Sequence, residues 1–358
     1  MGGGQLGRML GLAGLPLGER FTFLDPDESA PAAAVGRLIQ AAYDDRVALA
    51  EFASACDLAT FEFEQVPAAA VERLVEAGVE VRPGARPLAV AQDRLEEKRL
   101  FERLGLAVPR FAPVDSAADL EAALTDLGAP AILKTRGGGY DGKGQLQVKR
   151  GGDSAAAVAE LGGAGLIVEE RVSFDRELSV IAVRARDGEV VVYPLIENTH
   201  RAGILRLSRA PAPFVDVDLQ RRAEAHVRRV LEELDYVGVL AIELFQLGRD
   251  LLGNEMAPRV HNSGHWTIEG AETSQFENHV RAITGRPLGR TDARGESMML
   301  NLIGEVSDPN ALLRLGGHLH LYGKSPRPGR KLGHVTFTDT DPARLEDRVA
   351  EAARLVAQ

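Results

Sequence analysis

The sequence has one cysteine, no long apolar run and no excess of basic residues, and each shortage excludes a class of protein. The single Cys56 cannot form an internal disulfide, which suits a reducing cytoplasm. No stretch approaches the roughly 18 consecutive apolar residues of a membrane helix, and the first residues lack the pattern of a secretory signal. The formal net charge of −10 argues against a nucleic-acid partner. We therefore expect a cytoplasmic protein without membrane or nucleic-acid partners.

The 358 residues are 45% hydrophobic and 26% charged, as expected of a soluble globular protein. Residues 1–90 alternate between helical and strand patterns, which predicts a parallel sheet flanked by helices. From about Asp93 a charged helix leads into short strands separated by glycine-rich turns. The chain is long enough for roughly two or three domains.

The chain opens on the glycine-rich segment GGGQLG, in which Gly2, Gly4 and Gly7 fit G-x-G-x-x-G. In dinucleotide-binding folds this turn follows a strand and faces a phosphate, and an acidic residue such as Asp25 follows at a similar interval. Here no strand precedes the turn. A tight turn without a ligand is the alternative, and dinucleotide binding by this pattern alone is the weaker interpretation.

A second glycine cluster, KTRGGGYDGKGQLQV, contains G-x-x-x-x-G-K but lacks the Ser or Thr that a P-loop needs, since Gly144 stands there. The residues after it alternate like a strand, whereas a P-loop opens a helix. The remaining interpretation is a glycine-rich hairpin carrying Lys134 and Lys143, which can cover a triphosphate. The alternative is a mobile surface hairpin with solvated lysines.

Two glutamates, Glu243 and Glu255, are equidistant from a predicted turn near Arg249. If the two flanking strands pair, the carboxylates lie opposite each other, which is unfavourable unless a cation lies between them. Carboxylate oxygens are preferred ligands of Mg²⁺. A register shift of one residue would instead turn one glutamate to solvent, so both possibilities stay open.

Two polar loops follow this hairpin. APRVHNSGHWT contains Arg259, His261 and Asn262, and predicts a small-anion site or a capped loop. YGKSPRPGRKLGH contains Lys324 and Arg330, and predicts a phosphate-binding loop or a solvated basic turn.

The strings GGGQLGRM, TFEFE, GGGYDGKGQ, FDRELSV, NEMAPRVHNSGH and GRKLGH occur in this order along the chain. Together they resemble the 5-(carboxyamino)imidazole ribonucleotide synthase family, ATP-grasp enzymes of purine biosynthesis. The resemblance implies an α/β fold with an N-terminal doubly wound (pre-ATP-grasp) domain over residues 1–92. A linker helix and ATP lid domain over 93–170 and a C-terminal ATP-grasp domain over 171–358 would follow. It also implies a homodimer.

The resemblance implies carboxylation of 5-aminoimidazole ribonucleotide by ATP and bicarbonate, through carboxyphosphate, with ADP and phosphate released. The implied catalytic residues are Lys134, Tyr140, Arg259, His261 and Asn262. The implied ATP contacts are Arg94, Lys134, Gly139, Tyr140, Asp141, Gly142, Lys143, Gly144, Gln145, Glu169, Glu170, Arg171, Val172, Glu177, His200, Asn254 and Glu255. The implied ribonucleotide contacts are Gln5, Glu62, Lys324 and Arg330, and the implied Mg²⁺ ligands are Glu243 and Glu255.

The sequence departs from the family pattern in two places. Many ATP-grasp enzymes have an asparagine where this chain has Ala257, so a third protein ligand for the metal is not expected. Family members usually place a short apolar strand before GGGQLGRM, and we expect this first strand to be missing here. Another ATP-grasp carboxylate–amine ligase, a non-catalytic nucleotide-binding protein and an NAD-dependent oxidoreductase are the competing functions.

Overall fold

Four sheets follow one another along the chain in the computed structural model, which describes residues 1–139, 144–306 and 308–356. Two short parallel pairs lie within the first 91 residues, which we call the first unit. A four-stranded antiparallel sheet ends at residue 170 (second unit), and a nine-stranded sheet begins at residue 176 (third unit).

The first unit alternates helices and strands as the sequence predicts. Its elements are α1 (Gln5–Gly14), β1 (Thr22–Asp25), β2 (Arg37–Gln40), α2 (Arg46–Ser54), β3 (Leu58–Ala59), α3 (Ala68–Glu76), β4 (Glu80–Val81) and α4 (Ala85–Ala91). Helix α1 begins directly after Gly4 and buries Leu6, Met9 and Leu10, which helical spacing places on one face. These three side chains pack against the third unit.

The sheet of the first unit consists of two separate parallel pairs. β1 pairs with β2 and β3 pairs with β4, both in parallel. Met1 and Gly2 lie between the two pairs: the Gly2 N–H donates to the Leu24 carbonyl (3.0 Å), and the Met1 carbonyl accepts from the Glu62 N–H (3.1 Å). The glycine turn therefore begins where a central strand would end, with no strand before it among the described residues.

Adding about eight apolar residues before Met1 is expected to raise the melting temperature by several degrees, because the added strand would pair with the open edges of β1 and β3. Each kcal/mol gained shifts the melting temperature of a chain of 358 residues by roughly 1–2 °C. Differential scanning calorimetry of the extended and original chains measures the shift. A Gly-Ser extension of equal length is the control, and equal melting temperatures for both extensions would contradict the expectation.

The second unit contains α5 (Arg94–Arg103), β5 (Phe111–Val114), α6 (Ala117–Leu127), β6 (Ala131–Thr135), β7 (Gln145–Val148), α7 (Ser154–Glu160) and β8 (Leu166–Glu170). Its strands are ordered β5-β8-β6-β7, all antiparallel. Leu120 and Leu124 of α6 pack against Leu133 and Val168 of the sheet. The strands β6 and β7 therefore belong to a sheet that is packed against α6, and the second glycine cluster lies between them in the sequence.

The third unit is the largest. Its strands are β9 (Arg176–Arg184), β10 (Val190–Val192), β11 (Ile196–Arg201), β12 (Ile204–Ala210), β13 (Gly238–Leu247), β14 (Asp250–Ala257), β15 (Glu296–Ile303), β16 (His318–Leu321) and β17 (Lys331–Asp339). Its helices are α8 (Val217–Glu233), α9 (Thr267–Gly270), α10 (Gln275–Thr284), α11 (Pro309–Arg314) and α12 (Pro342–Val356). The sheet order is β14-β13-β9-β11-β12-β15-β17-β16, with β10 beside β9.

Both faces of this sheet are covered, as the alternation along β9 shows. Leu178, Val180 and Ala182 belong to the core under α5 and α8. Ile181 and Val183 belong to the core under α1 and α10. The third unit is thus the platform on which the first and second units rest. Within the described part of the chain, no helix is long and apolar enough to cross a membrane.

Candidate active site

Glu243 and Glu255 face each other where the three units meet. The register of β13 and β14 places the two glutamates opposite each other, as their spacing predicts. A β-bulge produces this alignment: Leu244 still pairs with Gly253, so Asn254 is the extra residue that brings Glu255 opposite Glu243. The Asn254 amide in turn donates to Glu243 Oε2 at 3.5 Å.

The pKa values of the two carboxylates are shifted in opposite directions. Burial alone would raise the pKa of Glu243, but the hydrogen bond and charge of His261, whose Nε2 lies 3.3 Å away, bring that pKa to about 2. Burial and the neighbouring Glu243 raise the pKa of Glu255. Arg94 Nη2 lies 3.7 Å from Glu255 Oε2. A divalent cation between the carboxylates would replace their repulsion by attraction.

A buried carboxylate, Glu169, joins two lysines behind this pair. Its Oε2 accepts from Lys134 Nζ at 3.0 Å and lies 3.3 Å from Lys98 Nζ, and 3% of its side chain is exposed. Burial would raise the pKa of Glu169, but the charges of Lys98 and Lys134 bring it to about 2. Its other oxygen, Oε1, has no hydrogen-bond partner among the described residues. The site therefore contains an ionised carboxylate, one oxygen of which can still accept a hydrogen bond from a ligand.

Arg94, the first residue of α5, connects the linker helix to the glycine cluster. Its guanidinium donates to the Thr135 and Gly139 carbonyls, both at 3.2 Å. The preceding Asp93 caps the helix and binds the Arg136 guanidinium. The α5 N-terminus is thereby fixed against the base of the β6–β7 hairpin, next to Glu255.

The glycine cluster is described only at its two ends. Gly139 lies beside Arg94, and Gly144 adopts a left-handed backbone (φ 70°) just before β7. Gln145 pairs opposite Lys134 across the hairpin. The other predicted contacts of this cluster lie outside the described residues: Tyr140, Asp141, Gly142 and Lys143.

The predicted adenine hinge connects β8 to β9. Glu169 is buried at its start, whereas the Glu170 side chain accepts from the N–H and Nε of Arg110, each at 2.9 Å. Arg171 and Val172 follow in connecting backbone outside any helix or strand. The Glu170 side chain and its N–H, which donates to the Arg110 carbonyl at 2.8 Å, thus fix the start of the hinge to the second unit.

Glu177 and His200 pair across the neighbouring strands β9 and β11. His200 Nδ1 and Glu177 Oε2 are 2.6 Å apart. Burial lowers the pKa of His200, but the bond to Glu177 and the charge of Glu243 raise it above its ordinary value. The strands therefore place these two predicted nucleotide contacts close enough to Glu243 for its charge to affect the pKa of His200.

Arg259 binds a carboxylate of the first unit. Its Nε and Nη2 donate to the two oxygens of Glu64 at 2.5 and 3.0 Å, a bidentate arrangement. The two side chains are 16% and 21% exposed. Burial would raise the pKa of Glu64, but Arg259 brings it to about 2. This ion pair fixes the loop after β14 to the first unit.

His261 and Asn262 are held by side chains from elsewhere in the third unit. The Gln275 amide accepts from the His261 N–H (2.9 Å) and donates to its carbonyl (2.6 Å). Asn262 and Asn301 exchange two amide hydrogen bonds of 3.1 and 2.9 Å. These contacts give the loop one conformation, with the imidazole turned to Glu243.

The N-terminal glycine turn binds protein carboxylates. Glu62 accepts from the Gly4 and Gly7 N–H groups at 2.6 and 2.8 Å, and Asp25 accepts from the Gly3 N–H at 2.6 Å. The amides that a dinucleotide phosphate would need are therefore occupied by the anions that cap α1. The dinucleotide-binding interpretation of this motif is wrong, and Asp25 has a structural role.

The basic loop reaches the first unit through Lys324. Its Nζ donates to Gln5 Oε1 at 2.5 Å, and burial lowers the pKa of Lys324. Arg330 donates to the Ser325 carbonyl at 3.4 Å, within the same loop. Of the predicted ribonucleotide contacts, the structure brings Gln5 and Lys324 together. The negative charge of Glu62 favours the protonated form of Lys324 and so opposes the effect of burial on its pKa.

Comparison with known proteins decides the family. Models of three families match in order: a ribonucleotide synthetase preATP-grasp domain (residues 1–92), an ATP-grasp domain (99–276) and a phosphoribosylaminoimidazole carboxylase C-terminal domain (297–348). N5-carboxyaminoimidazole ribonucleotide synthase of Pseudomonas aeruginosa is 53% identical, covering 99% of this chain and 98% of the relative. The Brucella melitensis synthase is 46% identical, covering 94% of each.

The chain belongs to the N5-carboxyaminoimidazole ribonucleotide synthase family. The crystal structure of the Thermus thermophilus synthetase matches with a TM-score of 0.95 and 55% identity, covering 100% of this chain and 98% of that one. The Aspergillus clavatus synthase, solved with ADP and 5-aminoimidazole ribonucleotide, matches with a TM-score of 0.90 and 31% identity, covering 100% and 97%. The family, the ATP-grasp fold and the ATP-dependent ligase activity predicted from the sequence are confirmed.

Sequence reasoning missed four residues that shape this synthase site: Glu64, Glu97, Lys98 and Asn301. Glu97 accepts from the Met256 N–H at 2.6 Å and is almost fully buried, and burial together with the charge of Glu255 raises its pKa to about 8. The spacing of Arg94, Glu97 and Lys98 (i, i+3, i+4) was a usable signal, since it places all three on one face of the linker helix.

Proposed function

We propose that this junction of three units catalyses ATP- and bicarbonate-dependent carboxylation of 5-aminoimidazole ribonucleotide to N5-carboxyaminoimidazole ribonucleotide, releasing ADP and phosphate. The observation that carries the proposal is the opposed Glu243–Glu255 pair, bordered by Arg94 from the second unit and His261 from the loop after β14. The presence of ADP and 5-aminoimidazole ribonucleotide in the Aspergillus clavatus structure supports the choice of substrates.

The acidic pair fits Mg²⁺. Glu243 and Glu255 are directly opposed, and the repulsion that raises the pKa of Glu255 is the interaction a cation would relieve. Among the described residues, no three His, Cys, Asp or Glu side chains are grouped to hold a metal, so phosphate oxygens and water would complete the coordination. When bound, Mg²⁺ would offset charge on the transferred phosphoryl group.

ATP would lie between the second and third units. Lys134 and Arg94, with the ends of the glycine-rich hairpin, would contact the phosphates. The backbone of the hinge from Glu169 to Val172 would read adenine, and the unpartnered Glu169 Oε1 offers an acceptor for an amino group. The remaining nucleotide contacts would come from Glu177, His200 and Asn254.

Bicarbonate would be seated by Arg259, His261 and Asn262. A bicarbonate oxygen attacks the γ-phosphorus, the bond to ADP breaks, and carboxyphosphate forms. The carbon–oxygen bond to phosphate then breaks, either first, with release of CO₂, or as the ribonucleotide amine attacks. In both routes the amine forms a bond to this carbon and loses a proton. Because carboxyphosphate is short-lived in water, the glycine-rich hairpin would exclude solvent. The bidentate ion pair with Glu64 fixes the position of the Arg259 guanidinium.

The ribonucleotide would bind between the first unit and the basic loop. Lys324 and Arg330 would grip its 5′-phosphate, with Gln5 and Glu62 nearby on the first unit. A release of ADP that requires both bicarbonate and 5-aminoimidazole ribonucleotide is the decisive test. ADP release with a different amine acceptor only would favour another ATP-grasp carboxylate–amine ligase, and no turnover with intact ATP binding would favour a non-catalytic protein.

Replacing Arg330 by alanine is expected to raise the KM for 5-aminoimidazole ribonucleotide by roughly tenfold or more, because a charge-assisted phosphate contact contributes about 1.5–3 kcal/mol. The KM for ATP should stay within about twofold, since that substrate lies elsewhere. Steady-state kinetics with each substrate varied measures both. Arg290→Ala, which removes a 79% exposed arginine, is the control. Equal effects of Arg330→Ala on both substrates would count against a dedicated phosphate site.

The predicted homodimer and cytoplasmic location belong to this proposal as well. The single Cys56 is compatible with a reducing compartment. Sedimentation equilibrium tests the dimer, and a mass of one chain at micromolar concentration would contradict it.

A further inference from the structure

Lys98 is a buried cation with every donor engaged. Only 1% of its side chain is exposed. Its ammonium donates to the Asn254 carbonyl (2.8 Å) and the Gly253 carbonyl (3.3 Å), and lies 3.3 Å from Glu169 Oε2. Three acceptors use the three N–H bonds of an ammonium group. Lys98 is therefore fixed between the hinge strand β8 and the segment of β14 that leads to Glu255.

Lys134 shares the same carboxylate oxygen but is held less firmly. Its Nζ donates to Glu169 Oε2 at 3.0 Å, and 15% of its side chain is exposed. No second acceptor for Lys134 is found among the described residues. Its ammonium can therefore turn toward a ligand at the junction without breaking any other contact described here, whereas Lys98 would have to leave two carbonyls of β14.

We propose that Lys98 is a positioning residue: it is the permanent counter-ion of Glu169, and it allows Lys134 to leave that carboxylate and bind the phosphates of ATP. The inference rests on the proposed function of Lys134. Lys98 itself touches no substrate in this scheme. Its effect on ATP is transmitted through the charge on Glu169.

The chemistry of Glu169 makes a second cation necessary. A buried carboxylate without a partner is strongly unfavourable. Oε1 of Glu169 already has no hydrogen-bond partner among the described residues, so both lysines act on Oε2 alone. If Lys134 were its only cation, each ATP that captured Lys134 would leave this buried carboxylate without a counter-ion, because an adenine amino group at Oε1 brings no positive charge. That penalty would appear directly as weaker ATP binding.

The test is a double-mutant cycle on MgATP affinity, measured by isothermal titration calorimetry. Lys98→Met keeps the length of the side chain and removes its charge, and we expect it to raise the Kd for MgATP tenfold or more. The KM for 5-aminoimidazole ribonucleotide should change less than twofold. In a Glu169→Gln background no charge is left unpaired, so Lys98→Met should then change the Kd less than threefold. Arg99→Met, the next residue on α5 and 51% exposed, is the matched control and should leave the Kd unchanged.

Each outcome separates the possibilities. A tenfold effect of Lys98→Met in both backgrounds, or no effect in either, would overturn the inference while leaving the proposed function intact. If Lys98→Met alone does not fold, the double variant decides. Its folding, with a Kd within threefold of Glu169→Gln, supports the inference, because neutral Glu169 no longer needs the cation. A double variant that does not fold, or a tenfold gap in Kd, refutes it. Failure of the unaltered protein to bind MgATP would refute the proposed function and this inference together.

Discussion

Replacing Glu255 by glutamine should lower ATP turnover by at least about a thousandfold, which corresponds to roughly 4 kcal/mol of lost transition-state stabilisation. The variant keeps the shape of the side chain but removes one of two negative charges proposed to hold Mg²⁺. The loss should appear in kcat at saturating substrates, measured as ADP release. Raising Mg²⁺ should recover little of it, because the charge balance around the moving phosphoryl group is itself altered.

The same change should leave the fold intact. Glu255 faces Glu243, and burial together with the repulsion from Glu243 raises the pKa of Glu255. A neutral amide removes the repulsion, so the melting temperature without metal should be unchanged or higher. Asp250→Asn, an exposed residue at the start of the same strand, is the control and should keep full turnover. Near-normal turnover of Glu255→Gln at modest Mg²⁺ would refute the metal assignment.

The acidic pair could be predicted from the sequence because its geometry is local. A hairpin with a short turn fixes which residues oppose each other, and Glu243 and Glu255 lie close together on either side of one such turn. The bulge at Asn254 was not predicted. The assumption that the turn is centred on Arg249 nevertheless placed Glu243 opposite Glu255, which is the pairing that the bulge produces. The linker helix α5 could also be predicted from the sequence, since its charged residues recur with helical spacing.

The partners of the polar loops could not be predicted, because they come from distant parts of the chain. Glu64 lies 195 residues from Arg259, and Asn301 lies 39 residues from Asn262. No periodicity connects such positions. The glycine turn shows a second limit: its spacing predicts that N–H groups face an anion, but it cannot tell a phosphate from the carboxylate of Glu62. Packing between units decides both questions.

The ion pair of Arg259 and Glu64 should have the second large effect. Arg259→Met leaves Glu64 buried without its cation, and breaking such a pair costs about 3–5 kcal/mol. With side chains 16% and 21% exposed, we expect the lower end, about 3 kcal/mol, and a drop in melting temperature of about 4 °C. Carboxylation should fall at least about a hundredfold, since the proposed bicarbonate contact is lost as well.

The pH dependence of Glu64 provides an independent check. Arg259 lowers the pKa of Glu64 from 4.5 to about 2 in the folded protein. A carboxyl with a depressed pKa contributes stability above pH 4.5 and loses it as the pH falls toward 2. The unfolding free energy of the unaltered protein should therefore exceed that of Glu64→Gln at pH 7, and the gap should narrow between about pH 5 and 3. Urea unfolding at several pH values measures it.

Adding Glu64→Gln to Arg259→Met distinguishes a structural role from a catalytic one. The double variant buries a neutral amide beside a neutral thioether, so most of the lost stability should return, because no charge is left unpaired. Carboxylation should stay low, because the guanidinium that would seat bicarbonate is still missing. If activity returned with stability, Arg259 would act only by holding the loop after β14 to the first unit. If neither returned, the ion pair would not be the reason for the instability of Arg259→Met.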